Sequence, residues 1–166
     1  MSRLAAALGL GALLSCAHAP AARGRSPELA ALALTPLGSR ADGPVALEGR
    51  VVLVSFFATW CFPCIAQLPL IQALRDELGP AGLTVVGVGL DLEGRTVLEP
   101  FMAYNRMTYP VVEADELLRS GKSAFGPITT LPAAALLDRS GRVVARWSGV
   151  ASHAEFRALV ERTVAR

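Results

Sequence analysis

With 166 residues the chain has room for one compact domain and little else. A formal net charge of +2 and a charged fraction of 18% are too near ordinary to mark a binder of nucleic acid or lipid headgroups, and 52% hydrophobic residues exclude a disordered chain. Three cysteines leave one over after any pairing, so the odd one has to be placed first.

The amino terminus places it. Arg3 precedes an uninterrupted apolar run, Leu4 to Leu14, which has the length of a signal-peptide core and falls short of the roughly 20 apolar residues a spanning helix needs. The run ends in Leu13-Leu14-Ser15-Cys16, which resembles the bacterial lipobox, with Cys16 as the lipidation site. Residues 1–15 are therefore expected to be a lipoprotein signal peptide, and 16–27, rich in Ala, Arg, Gly, Ser and Pro, a flexible tether. An ordinary secretory signal cut near His18 and Ala19 is the alternative, and either one exports the domain. His18 itself has no assigned role.

The domain is expected over residues 28–166. Leu29 to Leu37 and Val45 to Leu47 flank a Gly-Ser-Arg-Ala-Asp-Gly-Pro cluster and read as a short amino-terminal hairpin. Val51 to Phe57 is a near-continuous run of apolar, β-branched and aromatic residues, the pattern of a central strand buried on both faces. After Trp60, Leu68, Ile71, Leu74 and Leu78 recur at helical spacing until Gly79-Pro80 stops them, and Pro69 is expected to kink that helix. Leu83 to Leu90 reads as a strand, Thr96 to Asn105 as a helix, and Tyr109 to Val112 as a short extended piece. Strands at Ala133 to Leu137 and Arg142 to Trp147, joined by Asp138-Arg139-Ser140-Gly141, precede a terminal helix from Ser152 to Val164. The sum is an α/β domain, a central mixed sheet with helices on both faces.

Cys61 and Cys64 stand three apart where the central strand gives way to a helix. That spacing puts both on one helical face, within reach of a disulfide. Cys61, at the helix amino terminus, has its thiolate favoured by free N–H groups and the macrodipole, which makes it the expected nucleophile, with its sulfur exposed. Cys64, one turn in among apolar neighbours, is the expected resolving thiol. A structural cysteine pair, half of a zinc site, and a copper site completed by His153 are the bland competitors. Zinc needs four ligands, and Cys16, His18 and His153 are too scattered to supply them, so no metal is expected.

The run Val51 to Cys64, with Leu68-Pro69, Val85-Val86-Gly87-Val88, Asp91, Thr130-Leu131-Pro132 and Leu137 to Gly141, resembles the bacterial TlpA/ResA family of extracytoplasmic thioredoxin-like reductases. The resemblance covers about residues 28 to 165 and implies a thioredoxin-like fold with a helix-bearing insertion between Cys64 and Pro132. It implies a cis-proline facing the disulfide at Pro132, with Pro127 as rival, and substrate contacts at Trp60, Leu131 and Pro132. Redox tuning falls to Phe62, Pro63, Ser55 and Gln67; the last two stand where relatives carry an acid, so the chain departs from the family in proton handling. The implied activity is thiol–disulfide exchange without a cofactor beyond the Cys61–Cys64 disulfide. Its expected partners are exported protein thiols or disulfides, apocytochrome c among them, and a membrane thiol transporter as electron donor. It would work lipid-anchored on the extracytoplasmic side of a bacterial membrane. An oxidase or isomerase is the near alternative, and a non-catalytic binding module a distant one. A peroxiredoxin-like peroxidase has Thr59 in its favour and lacks the upstream proline.

Overall fold

Seven consecutive buried residues, Val51–Phe57, form strand β1 in the middle of a five-stranded sheet. The computed structural model describes residues 26–33, 35–38 and 45–166. The expected signal peptide, Cys16 and nearly all of the tether lie outside them. No helix among the described residues is long and apolar enough to cross a membrane.

The remaining elements are helix α1 (Pro27–Ala31), α2 (Phe62–Leu78), β2 (Leu83–Gly89), α3 (Arg95–Tyr104), β3 (Val111–Glu113), α4 (Glu116–Arg119), β4 (Ala133–Leu137), β5 (Val143–Ser148) and α5 (His153–Val164). Strand order is β3-β2-β1-β4-β5, with β1 parallel to β2 and antiparallel to β4. Alternation along β1 sorts the core into two layers. Val51, Leu53 and Phe57 pack with Ile71 and Leu74 of α2, Leu98 of α3 and Phe156 and Val160 of α5. Val52, Val54 and Phe56 face the other way, onto Leu29 of α1, Leu118 of α4 and Phe125. The stretch between Cys64 and Pro132 carries α3, β3 and α4, the helix-bearing segment the resemblance implied.

Among the described residues no amino-terminal hairpin forms. Residues from Pro27 start a helix because Ser26 caps it, its Oγ accepting the Leu29 N–H at 3.2 Å, while Pro27 sits in the first turn beside Glu28. Leu29 and Leu32, three apart, then share the face that meets the sheet. Pro36 forms an isolated bridge to Val112 and the Leu37 N–H donates to the Val111 carbonyl at 2.7 Å, while residues 45–47 belong to no strand. The turn cluster between them lies mostly outside the described residues. α2 runs on through Pro69 as one helix.

Candidate active site

The carboxyl end of β1 and the start of α2 make the site. Ala58, Thr59 and Trp60 link them, and the turn is closed by the Cys61 N–H donating to the Ala58 carbonyl at 3.0 Å. Cys61 is the N-cap of α2, and its Sγ accepts the Cys64 N–H at 3.3 Å. A sulfur thus takes the place that a capping oxygen usually fills, and negative charge on it faces the free N–H groups of the helix start. Phe62 and Pro63 form the first helical positions, where a missing N–H costs nothing. The two cysteines are joined as a disulfide with Cα atoms 5.2 Å apart.

Cys61 lies deeper than its position at a strand-to-helix junction implied: it is only 5% exposed, against 3% for Cys64. It forms part of the floor of a groove of about 540 Å³, which Cys64 does not line. Trp60 and Phe62 stand exposed on the rim, and Leu90, Leu118 and Ile128 make an apolar wall. Residues 128–131, a segment outside any strand, line the same groove. The Leu131–Pro132 peptide bond is cis; that preceding Pro127 is not.

Ser55 is buried in β1 opposite Gly87 and Ala134, on the strand face that α2 covers. Gln67 is buried on α2 one turn beyond Cys64, but it hydrogen-bonds neither sulfur. The buried carboxylate beside this site belongs to Asp91, two residues after the end of β2. Its Oδ1 and Oδ2 each accept the Thr59 N–H at 3.1 Å, and Oδ1 accepts the Thr59 hydroxyl at 2.6 Å. The Asp91 main-chain carbonyl in turn accepts Arg119 Nη2 at 3.2 Å. Asp91, Thr59 and Arg119 thus form a chain of contacts from the redox loop to α4. A lone aspartate closing an otherwise apolar strand was the available signal for Asp91; Arg119, on a four-residue helix, offered none. With its hydroxyl turned to Asp91, Thr59 serves the loop, away from the role a peroxidase would give it.

Comparison with known proteins agrees with this geometry. The AhpC/TSA family model matches residues 44–146. The thiol-disulfide oxidoreductase ResA of Oceanobacillus iheyensis is 40% identical over 65 residues, 39% of this chain and 33% of that protein. Sporulation thiol-disulfide oxidoreductase A of Bacillus subtilis is 26% identical over 138 residues, 81% of each chain. The chain spans between 33% and 57% of the length of the first ResA proteins it matches. A crystal structure of a thiol:disulfide interchange protein of the thioredoxin family from Chlorobium tepidum superposes with a TM-score of 0.63 at 32% identity, covering 79% of this chain and 97% of that one. The fold is therefore thioredoxin-like. With the family model taking in more than half of its length, the chain belongs to the AhpC/TSA family, and its relatives put it in the TlpA/ResA-like group.

Proposed function

We propose that the protein is a thiol–disulfide oxidoreductase that reduces disulfides of exported proteins. The observation that carries this is the placement of Cys61: a helix N-cap whose sulfur receives the Cys64 N–H, and a groove-lining residue paired with a cysteine that the groove does not reach. In the reduced protein the Cys61 thiolate attacks one sulfur of the client disulfide. The Cys61–client bond forms as the client's S–S bond breaks, and the leaving sulfur takes a proton. Cys64 then loses its proton and attacks Cys61 Sγ, closing the intramolecular disulfide and releasing the second client thiol. The client has gained two electrons and two protons, and a dithiol donor must return them to the protein. No cofactor beyond the disulfide is needed.

Leu131 and Pro132 offer the client an extended surface, Trp60 an apolar contact at the rim, and Phe62, Pro63, Ser55 and Gln67 the surroundings that set the potential. The finer assignment is tethering through an acylated Cys16 on the extracytoplasmic side of a bacterial membrane, with electrons from a membrane thiol transporter and apocytochrome c among the clients. It rests on the lipobox-like Leu13 to Cys16 and on the ResA relatives. The deciding measurement is the reduction potential of the Cys61–Cys64 couple, equilibrated against glutathione. A reductant is expected near about −270 mV; a value near about −120 mV would make the protein an oxidase and reverse the direction of electron flow.

A further inference from the structure

The groove over Cys61 has an apolar wall and one charged lining residue, Arg119. The guanidinium is held from behind: Nη2 donates to Glu113 Oε1 at 3.1 Å and to the Asp91 carbonyl at 3.2 Å, and Glu113 does not line the groove. Nε is buried and has no hydrogen-bond partner among the described residues. Nη1 also has no hydrogen-bond partner among the described residues but is not buried, so it is the donor left for a ligand in the groove. A charge beside apolar walls there attracts an anion more strongly than in open water, even though Glu113 shares it. Of the same lining, the N–H and C=O groups of Ile128, Thr129, Thr130 and Leu131 take part in no hydrogen bond among the described residues. They are free to pair with an extended chain laid along them.

These features combine into a recognition rule. The geometry points to Arg119 as a specificity-determining residue that selects client cysteines with an acidic side chain close by in sequence. This inference rests on the oxidoreductase reading and names its client class. A groove of 540 Å³, if as wide as it is deep, is about 8 Å across, or two to three residues of extended chain at about 3.3 Å each. The carboxylate therefore belongs within three residues of the attacked cysteine. Lysine or arginine there would meet Arg119 and be disfavoured. The alternation is one of charge, because the apolar wall accepts any extended segment.

The test compares three disulfide-closed Cys-x-x-Cys peptides, identical except for Glu, Gln or Lys within three residues of the attacked cysteine. The full-length protein is reduced, desalted and mixed with each peptide, and the second-order rate is read from fluorescence of Trp60 beside the reacting sulfur. Wild type is expected to react about fivefold faster with the Glu peptide than with the Gln peptide, and more slowly still with the Lys peptide, the spread narrowing at high salt. Arg119→Lys should keep the order, Arg119→Gln should bring the three rates within about twofold, and Arg119→Glu should invert them. Because each ratio is taken within one protein, loss of the Asp91 and Glu113 contacts does not disturb the comparison. Equal rates in wild type, or an unchanged ratio in Arg119→Gln, overturn the assignment of Arg119 alone. Failure to react with every peptide and also with neutral hydroxyethyl disulfide overturns the oxidoreductase reading, and the inference falls with it.

Discussion

Replacing Asp91 with alanine removes the one carboxylate that fastens the redox loop, and the cost can be worked from its partners. Asp91 is 2% exposed and receives both the N–H and the hydroxyl of Thr59. Hydrogen bonds to a charged acceptor contribute about 1.5–3 kcal/mol each. Two are lost, but Thr59 is only half-buried, so water can replace part of them, and the penalty of burying the carboxylate disappears as well. A net loss of about 2–3 kcal/mol is expected. At a urea slope of about 1.5 kcal/mol per molar, the unfolding midpoint of the oxidised protein should fall by about 1.3–2 M. Asp91→Asn keeps one acceptor oxygen in place and should lose about half as much. A midpoint within about 0.5 M of wild type for the alanine variant, or asparagine as damaging as alanine, would refute the view that these bonds hold the loop.

The remaining predictions concern the two sulfurs, the proton path, one surface pair and the leader. Brief iodoacetamide treatment of the reduced protein near neutral pH should label Cys61, which lines the groove, before Cys64, which does not; the reverse order on peptide mapping would exchange their roles. A Gln67→Glu variant places an ionisable group one turn from Cys64, so the resolving step should acquire a titration that wild type lacks. Superimposable pH profiles of resolution would remove Gln67 from the proton path. The Arg157 guanidinium, bonded to both carboxylate oxygens of Glu77, holds that acid below its ordinary 4.5 by hydrogen bonding first and by charge second. The pair ties α2 to α5, and its contribution should be present above pH 4.5 and fade as pH falls through the lowered value. Arg157→Gln should therefore flatten the acid limb of the stability curve, and an unchanged limb would count the pair as idle. Cys16→Ser should move the chain from the membrane fraction to the soluble one; equal partition of both proteins would end the lipid-anchor reading.

What could be read from the chain divides by the range of the interaction. β1 and α2 were legible from their own patterns, a run of buried β-branched and aromatic residues and apolar side chains three and four apart, and β4 as a short apolar run bounded by Pro132 and the Asp138 to Gly141 turn. The first segment misled because Leu and Ala from 29 to 34 fit either period. The deciding signal was the Ser26-Pro27-Glu28 start, which belongs to a helix. The cysteine pair was legible for the same local reason, since spacing alone brings the two sulfurs together. Its depth was not, because the groove around Cys61 is completed by residues far along the chain, Leu90, Leu118 and 128–131. Asp91 reaches Thr59 across 32 residues and Arg119 reaches Asp91 across 28, so only the packing of β2 and α4 against the end of β1 could reveal them.

That long-range set changes how the departure at Ser55 and Gln67 is understood. The site is not without a buried acid; it holds one on the loop in front of Cys61 rather than on the strand or helix behind Cys64. Both oxygens of Asp91 already face Thr59, so the carboxylate sets the position of the redox loop. Neither Ser55 nor Gln67 can take a proton near neutral pH. The proton that Cys64 must lose then goes to water or to the departing client sulfur. Where the client sulfur takes it directly, loss of the Cys64 proton and departure of the client are expected in one step.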